Sequence, residues 1–415
     1  MRAASRGEPV AVTGLGLITP AGVGVEAGWR TLCDGVSTAS EDPVLQGTPV
    51  PFSCRVPDID AAEAVGRKLT WRTDSFIHFA VAAAREAVAD AGLDPRDACR
   101  WEADRVGVVM GVGATSQENH PREYAKLLRG QHTTLSPTIV PRSVPNMAAG
   151  EIAADLDARG ANLCTSTACA SGATAIGVAR QLIASGACDT VIAGGSESAR
   201  NSVFTALPFW RMGVLSGRAH DPAGASRPFD ADRDGFVLGE GAGVMVLERL
   251  GAARARRARI HAVLAGFGAT ADAFHPVAPH PEGDGARRAL LAALADAGLE
   301  AGDIGHVNAH ATATRRNDLV EGRVLREVFP HFPPVTATKS VIGHALGAAG
   351  AIEAVCSVLA LARGCVPPTA NLDRQDPEID LDIVQKTPCE RRLEAVASCS
   401  FGFGGQNAAL VFRTP

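Results

Sequence analysis

The stretch Ser166-Thr167-Ala168-Cys169-Ala170-Ser171-Gly172 lies where an irregular segment gives way to a helix. Before it, Pro137, Pro141 and Pro145 indicate a loop, because proline lacks the N–H that a helix needs. After it, the alanine-rich run 170–185 predicts a helix, and a strand closed by two glycines follows. The sequence therefore places Cys169 at the N-terminal end of a helix within an alternating α/β region.

The same alternation of strands and helices extends through the whole chain. Strands are predicted at 10–16, 106–112, 190–193, 244–247, 260–265, 306–309 and 335–337 and near Val396 and Ala409, and helices at 21–32, 75–91, 170–185, 285–297 and 345–362. This pattern favours helices layered on mostly parallel sheets, and its recurrence in the second half predicts an internal duplication. We expect the halves to be residues 1–251 and 252–415, with the exposed basic stretch Arg254–Arg259 near their junction.

The composition excludes several classes of protein. A chain of 415 residues with 46% hydrophobic and 20% charged residues is too long for a minimal binding module and has an ordinary globular composition. The net charge of -5 argues against nucleic acid as a partner. Aromatic residues make up only 5%, so we expect a core of small side chains with close backbone contacts.

The cysteines and the chain start indicate a reducing cytoplasmic location. The ten cysteines contain no CxxC pair, which argues against a disulfide framework and against a structural zinc site. Met1–Pro9 lacks the apolar core of a signal peptide. The apolar run 345–362 approaches membrane-spanning length but contains Glu353, so we predict a buried core helix and no membrane association.

Three residues suggest a common chemistry. Cys169 at a helix start is placed where the helix dipole favours a thiolate, although a lone cysteine is more often a small buried hydrophobe. His310 and His344 each follow a strand, and Lys339 stands five residues before His344. A thiolate can carry an acyl group, while neutral imidazoles can donate hydrogen bonds to a thioester carbonyl. The set predicts carbon–carbon bond formation on a thioester.

The tail Ser400-Phe401-Gly402-Phe403-Gly404-Gly405 adds a candidate gate. Phe403 is suited to closing a pocket while its backbone N–H helps to bind an oxyanion. The alternative is a tight glycine turn next to a core phenylalanine. The number of glycines favours the first interpretation.

Together these motifs resemble those of the β-ketoacyl synthases of the ketosynthase II type, the condensing enzymes of dissociated fatty-acid and type II polyketide synthesis. The resemblance covers essentially the whole chain. The matching segments are 12–16, 167–172, 228–230, 233–236, 239–243, the His310 loop, 338–340, 343–344, 347–350 and 401–405. The resemblance implies a thiolase-like, duplicated α-β-α-β-α layered fold with two mixed sheets around central buried helices.

The resemblance also implies a role for each residue of the site. Cys169 is similar to the acyl-accepting nucleophile, and His310 and His344 to the pair that polarises the malonyl thioester carbonyl. Lys339 resembles the residue that holds the second imidazole. The backbone N–H groups of Cys169 and Phe403 match the oxyanion donors.

Further positions match residues around the site. Asp318 and Glu321 resemble the buried carboxylates below it, and Thr312 and Thr314 resemble the threonines that contact the pantetheine arm. The family uses no cofactor or metal of its own, since its substrates are carried on the phosphopantetheine of an acyl carrier protein. We therefore expect an acyl carrier protein as the partner, with basic residues such as Lys68, Lys126 and Arg129 as loose docking candidates.

Departures from the family pattern bear on the pathway. Ala311 and Ala313 replace glycine or another small residue around the first histidine, and we expect their methyls to shift the His310 loop or to narrow the pantetheine tunnel. The segment Gly113-Ala114-Thr115, where the family lines its acyl pocket, is also divergent. Both favour a specialised type II polyketide ketosynthase that forms a heterodimer with a chain-length factor. The alternative is a homodimeric housekeeping fatty-acid ketosynthase II.

Two other readings use the same fold. A non-catalytic chain-length factor usually lacks the nucleophile, so Cys169, His310 and His344 together argue against it. A thiolase or a ketosynthase of type III is disfavoured by the spacing between Lys339 and His344.

Overall fold

A long mixed β-sheet runs through the protein and carries helices on both faces. The structure is a computed structural model and describes residues 8–114, 116–198 and 202–415. Residues 1–7 and Thr115 of the divergent pocket segment lie outside the described residues. The strands are β1 Val10–Thr19, β2 Gly22–Val23, β3 Ala39–Glu41, β4 Phe52–Cys54, β5 Val106–Gly111, β6 Asn162–Thr165, β7 Thr190–Glu197, β8 Gly241–Arg249, β9 Ala262–Ala271, β10 Ile304–Asn308, β11 Val335–Thr336, β12 Cys365–Val366, β13 Cys389–Glu390, β14 Ala395–Gly402 and β15 Gln406–Arg413. The helices are α1 Val25–Asp34, α2 Ala61–Val65, α3 Arg67–Arg72, α4 Ser75–Asp90, α5 His120–Leu128, α6 Met147–Leu156, α7 Ser171–Ala184, α8 Val203–Arg211, α9 Leu250–Ala255, α10 Asp284–Ala297, α11 Arg315–Val328, α12 Lys339–Ile342 and α13 Ala349–Arg363.

The two halves of the sheet repeat one topology. From the centre outward, one half runs β1-β8-β7-β5-β6 and the other runs β9-β15-β14-β10-β11. In each half the first three strands pair antiparallel and the last three pair parallel. The order along the chain also matches, since β1, α4, β5, α6, β6, α7, β7, β8 corresponds to β9, α10, β10, α11, β11, α13, β14, β15. This agreement confirms the predicted duplication.

The pairing corrects one expectation and refines another. Alternation alone led us to expect mostly parallel sheets, which is wrong, because β15 returns directly after β14 through a tight turn and so pairs antiparallel with it. The two mixed sheets implied by the family resemblance are the two halves of one continuous sheet. They are joined where β1 and β9 pair over only three residues, at Val10, Ala11 and Val12.

Helices α7 and α13 pack against each other and lie in the centre of the molecule. They share one apolar cluster with strand residues from both halves, such as Val191 and Leu410. Helices α4 and α6 cover the other face of the first half, and α10 and α11 cover the other face of the second half. The thiolase-like layered α/β class predicted from the family resemblance is therefore confirmed.

Helix α13 explains the apolar run near residue 350. The window Leu346–Arg363 is long and apolar enough to pass as a membrane span, but 89% of it is buried inside the protein. Its acidic residue, Glu353, is fully buried and pairs with Lys339. The run is a core helix, as predicted.

Candidate active site

Cys169 lies between the end of β6 and the start of α7, in the place that the sequence predicted. The Ser171 hydroxyl fastens this turn, because it accepts from the Thr167 N–H (2.9 Å) and donates to the Ala168 carbonyl (2.6 Å). Ala168 has a left-handed φ of 49°, a conformation that is costly for alanine and is often found at functional turns. The turn thus presents the Cys169 side chain just before the helix begins.

Burial determines the ionisation of Cys169. Removal from water raises the pKa of its thiol to about 11, although the charge of Lys339 and the Phe403 backbone N–H lower it. The resting form at neutral pH is therefore the thiol, not the thiolate that the helix dipole led us to expect, because desolvation outweighs the dipole here. His344 Nε2 lies 3.1 Å from the Cys169 sulfur, which is within range for taking the proton.

Two imidazoles face the thiol. His310 follows β10, as predicted. His344 does not follow a strand directly, contrary to our expectation, because the short helix α12 and Gly343, whose φ is 69°, lie between β11 and His344. The two rings meet edge to face with their centroids 5.5 Å apart. Burial, followed by the nearby Lys339 charge, lowers the pKa of both histidines well below the usual value. Both rings are therefore neutral at physiological pH, and each carries one N–H. For His344 this proton lies on Nδ1 while Nε2 accepts from the thiol, and on Nε2 when the ring donates to a substrate oxygen.

The ligand atoms of Cys169, His310 and His344 lie within 4.8 Å of one another. This donor set is one that zinc accepts. The family resemblance assigns the three side chains to catalysis instead, and the absence of a metal stays a prediction.

Lys339 contacts the first imidazole and not the second. Its Nζ donates to the His310 carbonyl at 2.6 Å and lies 3.3 Å from His310 Nδ1. The expectation that it holds His344 is thus corrected. The physical reason is the parallel pairing of β10 with β11, which places the residues that follow the two strands side by side.

Glu353 is a site residue that the sequence analysis did not assign. Its carboxylate accepts a short hydrogen bond from Lys339 Nζ. Burial raises the pKa of Glu353 to about 7, against the opposing effect of the Lys339 charge. The signal was available in the sequence, because Glu353 is the one acidic residue in the apolar run 345–362, and a buried acid of this kind requires a partner.

The two carboxylates of α11 have different tasks. Glu321 accepts from the backbone N–H groups of His310 and Ala311, each at 2.7 Å, and so fixes the loop that carries the imidazole. Asp318 accepts from the Phe229 N–H at 2.9 Å and so holds the segment around Phe229 instead of the His310 loop. Burial raises the pKa of both, that of Glu321 to about 7.

A cavity of about 790 Å³ opens onto these side chains. Thr312 and Thr314 line it, with their hydroxyls 2.9 Å apart. Ala311 and Ala313 are fully buried and do not line it. Their methyls therefore do not narrow the tunnel, contrary to one of our expectations, although both residues have left-handed φ angles, of 34° and 64°.

The glycine-rich tail, residues 400–405, packs against the turn that carries Cys169. The Phe403 backbone N–H lies near enough to the Cys169 thiol to lower its pKa. A side chain at Gly402 would come within 2.8 Å of the Thr167 carbonyl and 3.1 Å of the Cys169 nitrogen, so only glycine permits this approach. The Phe403 ring is half-buried, lines the cavity and lies 6.2 Å from the Phe209 ring.

Models of two protein families match the chain. The N-terminal domain of β-ketoacyl synthases matches residues 7–253, and the C-terminal domain of β-ketoacyl synthases matches residues 261–373. The chain belongs to the β-ketoacyl synthase family. It is accordingly a condensing enzyme of the acyltransferase type.

Relatives of this β-ketoacyl synthase come from both branches of the family. The chain is 41% identical to 3-oxoacyl-[acyl-carrier-protein] synthase 2 of Synechocystis sp. over 97% of each chain. Among solved structures it resembles the ishigamide ketosynthase/chain length factor with a TM-score of 0.89 and 34% identity, over 99% of this chain and 100% of that one. It also resembles one chain of a solved complex described as a type II PKS acyl-carrier protein in complex with its ketosynthase bound to the hexaketide. The TM-score is 0.85 and the identity 29%, over 99% of this chain and 100% of that one.

Proposed function

We propose that this chain is a β-ketoacyl-acyl carrier protein synthase that joins a Cys169-bound acyl group to a malonyl unit by decarboxylative Claisen condensation. The observation that carries the proposal is the placement of one thiol and two neutral imidazoles at the floor of one cavity. The Cys169 sulfur lies 3.1 Å from His344 Nε2, and the His310 ring meets the His344 ring edge to face.

In the first half-reaction the acyl group moves from the carrier thioester to Cys169. His344 takes the thiol proton as the sulfur attacks the thioester carbonyl. The carrier thioester C–S bond then breaks, and His344 gives this proton to the departing carrier sulfur and becomes neutral again. The oxyanion that forms accepts hydrogen bonds from the backbone N–H groups of Cys169 and Phe403. The raised pKa of the thiol makes this proton transfer necessary at neutral pH.

In the second half-reaction a malonyl thioester loses carbon dioxide. The electron pair of the broken carbon–carbon bond stays on the remaining two-carbon unit, which becomes an enolate. The enolate oxygen accepts hydrogen bonds from His310 and His344. Neutral imidazoles suit this step, because a charged imidazolium would protonate the carbanion. The carbanion then attacks the acyl carbonyl and the Cys169–acyl C–S bond breaks. The Cys169 thiolate that leaves takes up one proton from solvent, which restores the resting thiol.

We also propose that the cavity receives a carrier-bound substrate and that the enzyme uses no resident cofactor or metal. Thr312 and Thr314 are placed to contact a pantetheine arm. Arg315 and Arg316 line the same cavity and supply positive charge for its phosphate. The solved relative with its acyl-carrier protein supports the same kind of partner for this chain. Of the earlier docking candidates, Lys126 is already paired with Glu123.

We further propose a specialised type II polyketide role, with a chain-length factor as the second subunit. The strained alanines around His310 and the ishigamide ketosynthase/chain length factor relative support this reading. The 41% identity to a 3-oxoacyl-[acyl-carrier-protein] synthase 2 favours the alternative, a homodimeric housekeeping ketosynthase. In either case we place the enzyme in the cytoplasm, where its ten free cysteines stay reduced.

Intact-protein mass spectrometry tests the proposal. The chain is mixed with short saturated and unsaturated acyl-carrier thioesters, beside Cys169→Ala and the control Cys164→Ala, whose thiol does not line the cavity. We expect a mass gain of one acyl group in the wild type and in the control, and none in Cys169→Ala. No gain with any donor, even after a candidate chain-length factor is added, would favour the non-catalytic reading.

The same experiment separates the two pathways. Preference for an unsaturated acyl group, together with a need for the second subunit, would support the specialised role. Full-rate elongation of ordinary saturated substrates by the homodimer would overturn it.

A further inference from the structure

Glu197 is a fully buried carboxylate that the proposed mechanism does not use. It ends strand β7, has no exposed surface and does not line the cavity. Its Oε1 has no hydrogen-bond partner among the residues that the structure describes. An acid buried in this way is costly, so its contacts should explain why it is present.

The carboxylate binds two separate segments of the chain through their backbones. Glu197 Oε2 accepts from the N–H groups of Gly113 at 3.0 Å, Ala114 at 2.9 Å and Gly347 at 3.3 Å. Gly113 and Ala114 follow β5, whereas Gly347 precedes α13, more than two hundred residues later. One oxygen atom thus joins a loop of the first half to a turn of the second.

The two segments are in direct backbone contact at this point. A side chain at Gly113 would come within 2.9 Å of the Gly347 nitrogen and 3.2 Å of the Ala168 carbonyl. A side chain at Gly347 would come within 2.1 Å of the Gly113 nitrogen. Ala168 immediately precedes Cys169, so the junction that Glu197 fastens extends to the turn that presents the nucleophile.

The front of the same junction faces the cavity. Gly113, Ala114, Ala168 and Leu346 all line it. Leu346 and Ala114 belong to an apolar cluster with Phe209, which lines the cavity as well. The part of the cavity wall that Glu197 fixes in place is therefore apolar and lies next to Cys169. Binding of an acyl chain at this position requires such an apolar surface.

We propose that Glu197 is a positioning residue that holds this wall in place and thereby sets which acyl groups Cys169 accepts. The inference rests on the proposed function, because it assumes that the cavity receives the acyl chain. Glu197 acts through three backbone N–H groups and touches no reacting atom. Its loss should therefore affect long acyl chains, which contact the wall, more than small reagents that reach only the thiol.

The test compares two reactions of the same thiol in Glu197→Ala. The first is loading of Cys169 by acyl-pantetheine thioesters of short, medium and long saturated chains, followed by intact mass. The second is alkylation of Cys169 by iodoacetamide. We expect loading of the longest chain to fall by about tenfold relative to the shortest, the equivalent of about 1.4 kcal/mol, and alkylation to change by less than about threefold.

Two control variants separate positioning from general destabilisation. Glu197→Gln keeps an oxygen acceptor at the same place and should retain the wild-type length profile. Glu86→Ala removes a carboxylate that also binds backbone N–H groups, those of Leu17 and Val25, but lies outside the cavity lining. It should lower stability without changing the length profile. If Glu197→Ala does not fold, Glu197→Asp takes its place, because its shorter side chain withdraws the carboxylate from the three N–H groups.

The outcomes are distinct. A wild-type length profile in Glu197→Ala or Glu197→Asp would overturn the inference, and so would the same change of profile in Glu86→Ala. A wild-type protein that loads no acyl group at all would instead overturn the proposed function.

Discussion

The loops after β5 and β10 occupy equivalent places in the two halves, and each is held by a buried glutamate. Glu321 accepts from two consecutive N–H groups, those of His310 and Ala311, at 2.7 Å each. Glu197 accepts from the consecutive residues Gly113–Ala114, at 3.0 and 2.9 Å. The glutamates come from different elements, α11 and β7. The two halves therefore reach the same loop anchor by different routes.

What differs is what each loop presents to the cavity. The loop of the second half presents an imidazole, whereas the loop of the first half presents a glycine and a methyl group. The first half in turn supplies Cys169 before its central helix α7, and the second supplies His344 before α13. The two equivalent loops therefore have different functions. The loop after β10 supplies a hydrogen-bond donor, and the loop after β5 leaves room for a substrate.

The largest expected effect comes from removing the donor. His310→Ala should lower malonyl decarboxylation by about 100-fold to 1000-fold, the usual result of losing an oxyanion-type donor. Acyl loading of Cys169 should persist, because His344 remains 3.1 Å from the sulfur. Carbon dioxide release and intact mass measure the two steps. His331→Ala, which removes an exposed histidine outside the cavity lining, is the control. An equal loss of both steps would contradict the assignment.

Removing the anchor of the catalytic loop should have the next largest effect. Glu321→Ala leaves two buried N–H groups without an acceptor, at about 1–3 kcal/mol each in the free energy of unfolding. Denaturant titration measures this loss, and Glu321→Gln should recover most of it. Decarboxylation should fall while the acyl-length profile stays that of the wild type. A changed length profile would break the comparison, since it would mean that both glutamates act on the acyl pocket.

The pH dependence of Cys169 alkylation tests how burial changes the pKa of a thiol that lies where the two halves meet. Burial raises the pKa of the Cys169 thiol to about 11. Because the thiolate is the reactive form, alkylation by iodoacetamide should rise about tenfold per pH unit and keep rising above pH 9. A free thiol, with a pKa of about 8.5, levels off there. Peptide mass spectrometry of Cys169 follows the reaction; a plateau near pH 7 would show a thiolate at rest.

A smaller effect concerns the strained backbone beside His310. Ala311 has a φ of 34°. Releasing a left-handed alanine should offset the loss of its buried methyl, so that Ala311→Gly is more stable than Ala309→Gly by about 1 kcal/mol. Ala309→Gly, two residues earlier and not left-handed, should instead lose stability, because it deletes a fully buried methyl. Thermal unfolding of both variants measures the pair. Equal destabilisation would mean that the Ala311 methyl contributes more packing than strain.

The last prediction is of no effect. Treatment with a chelator such as EDTA should leave acyl loading and decarboxylation unchanged, as expected for a thiol and two imidazoles acting directly. Both activities are measured before and after metal removal. A loss that added zinc restores would assign the three ligand atoms to a metal.

Much of this molecule follows from the sequence. The position of Cys169 at a helix start was readable from the alanine-rich run after it, that of His310 from the strand before it, and that of His344 from the glycine before it. The buried character of α13 followed from one acidic residue in an apolar run. These features are local, because the period of the side chains and the turn residues are written in neighbouring positions.

Other features depended on contacts between distant segments. Only the parallel pairing of β10 with β11 decided that Lys339 serves His310, and only the packing of α13 gave Lys339 its partner Glu353. The free energy of desolvation decided the charge states, so the helix start that favours a thiolate in isolation holds a thiol in the folded protein. The sequence by itself determined the fold class, the nucleophile and the imidazoles. The tertiary structure decided which groups meet and how they ionise, because both depend on burial and on neighbours that are far apart along the chain.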